Sequence, residues 1–468
     1  SEEFMKLAEQ VNAIAEAKLT YEHLVLFYLS RIKKYDRNNE LSLNSVIALN
    51  SNVITEARKL DLAKKEIDSY SIYGMPILLK DNINASGMPT TAGAVAFENN
   101  KTEDAFITKQ LKANGALILG KANLSEWAYF FCNDCPSGYS AIGGQTLNPY
   151  GRKIHDTGGS SSGSGVSMAA NFAVAAVGSE TSGSILSPSS SNSIVGLKPT
   201  IGLLSRGGIV PISSTLDTPG PMTRFVVDNA ILLQAMTGLD SEDSKAVSLK
   251  APKTDYVSAL KNLNPTEYLK GIRLGYYKDT LYVTAVRELR EAGAILVELE
   301  RPEIDLPQFL RVLNLDMQKD LPDYITKYGS KELALKDLTE ITAFNKEDSL
   351  IRMPYGQGLL YGVLADSAST QEFAAIKDTL ERNGRQFFDE PIKLNNLDAV
   401  LSINNYMAGF AAVAKYPAIT VPMGYKDTNE PMGLTFIAPT LSEAKLLELA
   451  YAYEVISKKR KTPADFEN

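Results

Sequence analysis

Residues 158–193 read GGSSSGSGVSMAANFAVAAVGSETSGSILSPSSSNS, two serine- and glycine-rich runs separated by an apolar, alanine-rich segment. A serine in such a run can act as a nucleophile if a base activates it. The whole chain contains only two histidines, His23 and His155. One lysine, Lys80, ends the apolar segment GMPILLK at residues 74–80. The sequence therefore favours lysine, rather than histidine, as the base for a serine nucleophile.

The segment GSSSG at 159–163 matches the nucleophile-elbow pattern G-x-S-x-G, with Ser161 at its centre. An α/β-hydrolase carries its catalytic histidine after the serine in the chain. No histidine follows His155 here, so the chain order excludes that class of Ser-His-Asp hydrolase. His155 precedes the serine run by a short loop and His23 lies in a helical pattern, so we expect neither to be catalytic.

The glycines of the serine run allow a backbone to approach an anion closely at a helix N-terminus. A nucleotide-binding Walker loop would also need a lysine, and residues 158–165 contain none, which disfavours nucleotide binding. The second turn, GSETSGS at 178–184, brings the N–H groups of residues 181–184 close together. Such a nest could hold an oxyanion. The alternative, that these serines only solvate a loop, stays open from the pattern alone.

The composition is that of a folded, globular protein. The chain has 468 residues, of which 44% are hydrophobic and 22% charged, close to globular averages. The formal net charge of -7 leaves no basic surplus for nucleic acid. No segment approaches the run of about 18 apolar residues that spans a membrane. We expect a cytoplasmic location; because the chain begins at Ser1, a secreted or periplasmic form that has lost a targeting segment is the alternative.

The only two cysteines, Cys132 and Cys135, form a C-x-x-C pair. A structural zinc site normally uses four ligands, and the segment lacks the setting of a thioredoxin-like redox motif. We therefore expect two free thiols in a loop, and neither a metal nor another cofactor.

Apolar periodicity predicts alternating strands and helices, which is typical of an α/β fold. Residues 3–35 predict two N-terminal helices. Further along the chain the predicted segments are strands at 75–80 and 116–119 with a helix at 104–114 between them, a helix opening within 120–128 and capped by Asn123 or Ser125, an alanine-rich helix at 166–176, a polar connector at 241–269, a β-α-β unit at 272–300, mainly helical structure at 307–388, and strands at 397–403, 417–425 and 432–438 before a closing helix that ends near Ser457.

Several long motifs, in fixed order, resemble those of the amidase signature family, with bacterial peptide amidases as the most similar branch. The motifs are GMPILLKDNI (74–83), GALILGKANLSEWA (115–128), GGQTLNPYG (143–151), GGSSSGSG (158–165), GSETSGSI (178–185), GLKPTIGLLSRGGIVPISSTLDTPGPMTR (196–224) and YPAITVPMG (416–424). The resemblance implies a large mixed β-sheet surrounded by α-helices. It implies one domain over residues 1–468, with N-terminal helices at about 3–65, a signature core at about 70–237, and a C-terminal part at about 270–468 that completes the sheet and covers the cleft.

The resemblance also implies site residues. In that family the catalytic triad is a lysine, a serine in a cis peptide and a nucleophilic serine, which match Lys80, Ser160 and Ser184 here. A cis peptide is implied between Gly159 and Ser160. The implied oxyanion hole consists of the backbone N–H groups of Thr181, Ser182, Gly183 and Ser184, and the implied supporting or substrate-near residues are Ser161, Gln145 and Asp217.

The implied activity is that of a serine amidohydrolase, which cleaves a linear carboxamide through an acyl-enzyme without a cofactor. The expected substrate is a peptide C-terminal amide, an aryl amide or another small amide, and no obligatory protein partner is expected. The alternatives are a glutamyl-tRNA amidotransferase A-type subunit, which would need partner subunits, and a non-catalytic amide-binding relative. Ser182 and Leu186 stand where many members have glycine and arginine, so the family's salt bridges near this turn are in doubt.

Overall fold

The computed structural model describes residues 19–37, 40–63, 65, 67 and 70–466. Its strands are β1 (Val46–Leu49), β2 (Pro76–Lys80), β3 (Leu117–Ala122), β4 (Tyr139–Ser140), β5 (Gly144–Gln145), β6 (Ala175–Glu180), β7 (Val195–Lys198), β8 (Thr218–Thr223), β9 (Arg273–Tyr277), β10 (Ile295–Leu299), β11 (Ala399–Ile403), β12 (Ala418–Tyr425) and β13 (Pro431–Ile437). An 11-stranded sheet has the order β1-β3-β2-β6-β8-β7-β12-β13-β11-β9-β10, and β4 and β5 form a separate hairpin.

The sheet is mixed. Strands β3, β2 and β6 run parallel to one another, as do β11, β9 and β10. The strands between these two groups pair antiparallel. This arrangement confirms the predicted α/β fold with a large mixed sheet.

Helices surround the sheet. The α-helices of the described residues are Tyr21–Tyr35, Val53–Ala63, Phe106–Ala113, Ser162–Ala169, Leu186–Ser191, Val226–Met236, Ser244–Leu249, Tyr256–Lys261, Pro265–Tyr268, Val283–Glu291, Phe309–Tyr328, Leu338–Glu347, Ser349–Arg352, Gly358–Ala365, Thr370–Asn395, Ala408–Ala414 and Glu443–Ser457. Short 3-10 helices occur at Val95–Phe97, Glu126–Tyr129, Thr280–Tyr282 and Ala464–Phe466.

The parallel strands β3, β2 and β6 bring their carboxyl ends to one edge of the sheet. All residues of these three strands are buried, which suits strands covered on both faces. Lys80 and Glu180 are the last residues of β2 and β6. The loops that follow the three strands therefore meet above this edge, where ligands of open α/β sheets usually bind.

Two packed regions form most of the interior. The larger core surrounds the sheet, and a second core joins Trp127 and Phe97 to the helices Phe309–Tyr328 and Gly358–Ala365. The Trp127 and Phe97 rings meet edge-on with their centroids 4.9 Å apart. Within the described ranges, no helix is both long and apolar enough to cross a membrane.

Most predicted elements are confirmed. The strand ending at Lys80, the helix at 104–114, the β-α-β unit at 272–300, the helical segment at 307–388, the last three strands and the closing helix all occur within a few residues of their predicted positions. Helix Tyr21–Tyr35 confirms the second N-terminal helix. The first is predicted within residues 3–18, which lie outside the described residues.

The prediction of a helix that opens within 120–128 is wrong. Strand β3 continues through Ala122, and Glu126–Tyr129 is only a short 3-10 helix in which Trp127 and Ala128 have left-handed backbone angles (φ 52° and 55°). The Ser125 hydroxyl does not cap a helix, because it accepts a hydrogen bond from the Gly138 amide (2.8 Å). The segment therefore does not form an α-helix, and the Ser125 hydroxyl links it to the loop that contains Gly138.

Two other segments differ from expectation. The alanine-rich helix ends at Ala169, and residues 175–180 form β6, because they pair with β2 on one side and β8 on the other. The predicted connector at 241–269 contains three short helices. Two of them are capped by Asp243 and Asp255, whose carboxylates accept backbone N–H bonds in the first turn.

The expectation of two free thiols is wrong. Cys132 and Cys135 are joined by a disulfide. Tyr129 donates from its hydroxyl to the Cys135 carbonyl (2.9 Å), and both cysteines are buried. The disulfide thus closes a small loop, which the C-x-x-C spacing alone did not predict.

Candidate active site

Lys80 lies at the carboxyl end of β2 with a fully buried side chain. Its Nζ donates to the Ser160 hydroxyl (2.7 Å), the Ser179 hydroxyl (3.0 Å) and the Ser179 carbonyl (3.1 Å). These three acceptors are neutral. Among the described residues no carboxylate forms a salt bridge with this lysine.

Burial lowers the pKa of Lys80 to about 7, since removal from water disfavours the ammonium form. The negative charges of Asp217 and Glu180 oppose this shift without abolishing it. A lysine with such a pKa is partly neutral at physiological pH. It can therefore accept a proton, which an exposed lysine rarely does.

Ser160 and Ser161 immediately precede helix Ser162–Ala169, and Ser161 contacts β6. The peptide bond between Gly159 and Ser160 is cis. The Ser160 carbonyl accepts from the Ser125 amide (3.0 Å). The Ser161 hydroxyl donates to the Ser179 carbonyl (3.0 Å) and accepts from the Ser179 amide (3.2 Å). Ser161 thus fastens the serine run to the strand that precedes Ser184.

Ser184 lies in a tight turn directly after β6. The turn is made at Gly183, whose φ is +84°, a conformation that glycine adopts readily. Oε2 of Glu180 accepts from the amides of Ile185 (2.8 Å) and Leu186 (3.0 Å), which fixes the chain immediately after Ser184. The Ser161 amide donates to the Ser184 carbonyl (3.1 Å). The structure therefore brings the turn of Ser184 against the segment that carries Ser160, the hydrogen-bond partner of the lysine.

Asp217 lies beside this turn. Its Oδ1 accepts from the Thr181 hydroxyl (2.5 Å), and its Oδ2 accepts from the amides of Ile212 (2.8 Å) and Ser213 (2.9 Å). Burial raises the pKa of Asp217 to about 6, although these hydrogen bonds and Arg206 oppose the rise. Asp217 therefore holds Thr181, the first residue of the turn.

Gln145 lies farther out, in the hairpin of β4 and β5. Its amide donates to the carbonyls of Ser137 (2.6 Å) and Thr146 (2.9 Å), and it pairs with Tyr139 across the hairpin. Within the described residues none of its hydrogen bonds reaches Lys80, Ser160 or Ser184. Gln145 thus shapes the loop next to the site and makes no direct hydrogen bond to the three predicted catalytic residues.

The two histidines lie apart from this centre. The His155 ring packs against Gly151, while the Ser160 hydroxyl is bonded to Lys80. His23 stands in the first turn of helix Tyr21–Tyr35. In the part of the chain that the structure describes, no group of three or more His, Cys, Asp or Glu side chains is placed to hold a metal ion.

Sequence reasoning missed three site residues. Ser179 supplies two of the three acceptors of Lys80. Asn82 donates to the Ser179 hydroxyl (2.9 Å), and Glu180 holds the amides that follow Ser184. Asn82 and Glu180 could have been found from the sequence. Asn82 follows Lys80 by two residues, and Glu180 is the single charged residue of the GSETSGS turn. Nothing in the pattern distinguishes Ser179 from its many serine neighbours.

Known proteins resemble this chain over almost its whole length. The sequence profile of the family described as Amidase matches residues 23–352. A probable amidase from Arabidopsis thaliana is 35% identical, over 96% of this chain and 90% of its own length. The A-type subunit of a glutamyl-tRNA(Gln) amidotransferase from Pseudomonas syringae is less similar, at 29% identity over 97% of both chains.

Solved structures give the same picture. An amidase family protein from Bacillus anthracis superposes with a TM-score of 0.92 and 39% identity, covering 98% of this chain and 92% of that one. The native peptide amidase from Stenotrophomonas maltophilia has a TM-score of 0.91 and 36% identity, covering 99% of both chains. The fold of this chain is thus similar to that of known amidases along its whole length.

Proposed function

The chain belongs to the amidase signature family of hydrolases, and from this premise we propose that Ser184, Ser160 and Lys80 form a triad that hydrolyses a carboxamide through an acyl-enzyme. The observation that carries the proposal is the 2.7 Å hydrogen bond between the Lys80 amine and the Ser160 hydroxyl in a fully buried site. A buried lysine whose contacts are neutral is suited to act as a base.

In the proposed acylation, neutral Lys80 takes the proton of Ser160 while Ser160 takes the proton of Ser184. Ser184 Oγ then forms a bond to the carbonyl carbon of the substrate. When the C–N bond breaks, the protonated lysine returns its proton through Ser160 to the departing nitrogen. The products of this half-reaction are an ester of Ser184 and a free amine or ammonia.

In the second half-reaction the same groups act on water. Neutral Lys80 accepts a proton from water through Ser160, and the resulting hydroxide oxygen attacks the ester carbon. The proton then goes to Ser184 Oγ as the C–O bond breaks. The acid is released and the three residues return to their starting state.

The charge that develops on the carbonyl oxygen needs hydrogen-bond donors. The backbone N–H groups of Thr181, Ser182, Gly183 and Ser184 belong to the turn that Glu180 and Asp217 hold on its two sides. Donors fixed before the reaction stabilise the transition state, and loss of one typically lowers kcat about 10²–10³-fold. We assign these amides to the oxyanion hole.

For the substrate we propose a peptide C-terminal amide, with aryl and other small amides as related candidates. The 36% identity to a peptide amidase over 99% of the chain supports this class. Two aromatic rings also stand near the loop of Ser125, because Tyr139 directly follows Gly138, whose amide donates to the Ser125 hydroxyl. The Ser125 amide in turn donates to the Ser160 carbonyl. The Tyr139 ring meets Tyr355 edge-on, with the ring centroids 4.9 Å apart. Tyr355 is 48% exposed. Such rings could hold the apolar side chain of a peptide.

An amidotransferase A-type subunit is the second candidate, because the 29% identity to such a protein extends over 97% of both chains. The identities of 35–39% to amidases favour a stand-alone hydrolase. An amidotransferase subunit would need partner subunits to act, whereas a hydrolase would turn over amides alone.

The test is release of ammonia or amine from a panel of peptide C-terminal amides, small carboxamides and anilides. We expect the purified chain alone to hydrolyse at least one class. Ser184→Ala should lose this activity, whereas Ser187→Ala, a matched change three residues later in the chain, should retain it. Equal activity of wild type and Ser184→Ala would contradict the proposed nucleophile. Activity that appears only with added partner subunits would favour the amidotransferase.

A further inference from the structure

The turn that carries Ser184 is covered on one side by a segment from the C-terminal part of the chain. A methyl group added at the Cα of Gly183 would lie 2.9 Å from Nδ2 of Asn405. A methyl group added at the Cα of Gly409 would lie 3.9 Å from the Ser182 hydroxyl oxygen. Asn405 and Gly409 therefore lie directly against the two residues that precede the proposed nucleophile.

The backbone at Asn405 is firmly held. The segment follows β11 and begins at Asn404, which has a left-handed backbone (φ 48°). The Asn404 Oδ1 accepts from the Gly433 amide (2.7 Å), and the Asn404 amide donates to the Gly433 carbonyl (2.8 Å). The Asn405 carbonyl accepts from the Ala408 amide (2.9 Å) at the start of the next helix. These bonds fix the backbone of Asn405 before any substrate binds.

The accessible surface of this turn lies at Ser182. Of residues 181–186, Ser182 alone is half-buried, and the other five are buried. Asn405 is half-buried as well, and Tyr406, the next residue in the chain, is 57% exposed. We therefore expect a substrate to approach Ser184 along the surface that Ser182 and Asn405 form.

The polar side-chain groups on this surface are not used within the protein. Among the described residues, neither the Ser182 hydroxyl nor the Asn405 side-chain amide has a hydrogen-bond partner. The neighbouring Asn404 differs, because its amide is bonded to Gly433 and to the sulfur of Met432. An asparagine amide and a serine hydroxyl can each donate and accept hydrogen bonds. A peptide group, with one N–H and one C=O, is complementary to them.

We propose that Asn405, together with the Ser182 hydroxyl, determines specificity by hydrogen-bonding the peptide group that precedes the reacting amide of the substrate. The inference rests on the proposed function and deepens it, because it names the favoured substrate as an amide whose α-carbon carries an acylated nitrogen. A simple carboxamide of the same shape has no such group and leaves the two side chains to water.

The position of the two side chains along the substrate fits this role. In an acylated amino acid amide, the α-nitrogen is separated from the reacting carbonyl carbon by the α-carbon alone. Groups that bind this nitrogen and its acyl group must therefore lie next to the nucleophile. Ser182 is two residues before Ser184 in the turn, and Asn405 contacts Gly183, which lies between them. Both side chains are also uncharged, which suits a neutral peptide group.

The role can be tested with two primary amides that differ in this peptide group alone. N-acetylphenylalaninamide carries the group, and 3-phenylpropanamide has the same ring and reacting amide without it. Each kcat/KM is divided by the rate of hydroxide-catalysed hydrolysis of the same amide, which removes the difference in intrinsic reactivity. We expect the corrected value of the wild type to be at least about tenfold higher for N-acetylphenylalaninamide, because a site that hydrogen-bonds a substrate group discriminates against an analogue without it. Equal corrected values would overturn the inference.

The contribution of each side chain can be tested by substitution. Asn405→Leu nearly keeps the volume and removes the amide, so the ratio of the two kcat/KM values should fall about tenfold. Asn405→Gln, which keeps an amide on a longer side chain, should retain more of the ratio than Asn405→Leu. Ser182→Ala keeps the backbone N–H and removes the hydroxyl, and should lower the ratio about threefold. Because the ratio compares two substrates of one preparation, a general loss of folded protein cancels. A ratio that Asn405→Leu leaves unchanged would overturn the inference.

The matched control is Asn383→Leu. Asn383 is also half-buried, and its amide donates to the Asp305 carbonyl (3.1 Å) within the protein. The ratio of this variant should equal that of the wild type. A fall as large as that of Asn405→Leu would overturn the inference alone, because the ratio would then not report a contact between Asn405 and the substrate. Absence of any amide turnover by the wild type would instead overturn the proposed function, and the inference with it.

Discussion

Two fully buried lysines lie near the carboxyl ends of the neighbouring strands β2 and β3, and they have different partners. Lys80 ends β2 and is bonded to the hydroxyls of Ser160 and Ser179 and to a carbonyl. Lys121, in β3, lies 2.9 Å from a carboxylate oxygen of Asp81 and donates to Thr90. Both side chains are fully buried. Burial alone therefore does not make a base; the partners of the amine decide between base and structural cation.

The electrostatics of the two lysines follow from these partners. Burial lowers the pKa of both amines, but in Lys121 the adjacent Asp81 carboxylate opposes the shift through a charge interaction and a hydrogen bond. The carboxylates that act on Lys80 are those of Asp217 and Glu180, whose hydrogen bonds go to Thr181 and to backbone amides instead. We interpret Lys121 as a charged structural tie and Lys80 as the amine that can become neutral.

The largest expected effect is on catalysis. Lys80→Met should lower kcat at least about 10⁴-fold, as loss of a member of a catalytic triad does. Lys121→Met should keep kcat within about tenfold of the wild type, when kcat is expressed per folded molecule. Steady-state release of ammonia, with folded protein quantified by circular dichroism, measures this difference. Comparable losses of kcat in both variants would break the comparison.

The second effect is on stability, and here the substitution of Lys121, not that of Lys80, tests the comparison. Lys121→Met leaves the buried Asp81 carboxylate without its cation, which should lower the free energy of unfolding by about 3–5 kcal/mol. The double variant Lys121→Met/Asp81→Asn should recover part of this loss, because no unpaired charge remains. Urea denaturation followed by fluorescence gives the values. If the single variant were as stable as the wild type, Lys121 could not be the structural tie.

The third effect is the pH dependence of stability. The Lys80 pKa is about 7 in the folded chain, against an ordinary value of 10.5. Between these values the unfolded chain binds the extra proton, so this lysine makes stability rise with pH through that window by up to about 1.4 kcal/mol per pH unit. Lys80→Met should lack this contribution. Parallel stability curves of wild type and Lys80→Met between pH 7 and 10.5 would show that the lysine is not perturbed.

The smallest effect concerns Asp217, whose charge raises the pKa of Lys80. Asp217→Asn removes this charge, so the pKa of Lys80 should fall further. The acid limb of kcat/KM should then move to lower pH by less than about one unit, because an interaction through a protein of effective dielectric near 20 is modest. A pH profile of primary-amide hydrolysis measures the shift. A limb displaced to higher pH would contradict the sign of the interaction.

Sequence and structure agree best where local pattern and topology give the same answer. The short apolar segment before Lys80 is followed by turn-prone residues, which predicts a buried strand. The GSETSGS turn contains Gly183, whose positive φ suits glycine. The motif resemblance pointed to Lys80, Ser160 and Ser184 together, and the structure places these segments in one cluster.

The differences arise where distant contacts decide local structure. Residues 175–180 form a strand because β2 and β8 pair with them on both sides, although alanine favours helix. The left-handed backbone at Trp127 and Ala128 has no local signal, because it depends on packing against Phe97 and on the bond between Ser125 and Gly138. The role of Ser179 likewise depends on the approach of two strands.

The most direct test of the difference between the two lysines is the pH dependence of the reaction of Ser184 with a fluorophosphonate, a reagent that reports activation of the nucleophile without substrate binding. The account predicts a rate constant that rises with an apparent pKa of about 7 and then stays level, both in the wild type and in Lys121→Met, and a rate lowered at all pH values in Lys80→Met. A rate that keeps rising to the ordinary pKa of lysine, 10.5, or a rate that Lys80→Met leaves unchanged, would contradict the claim that Lys80 is the base.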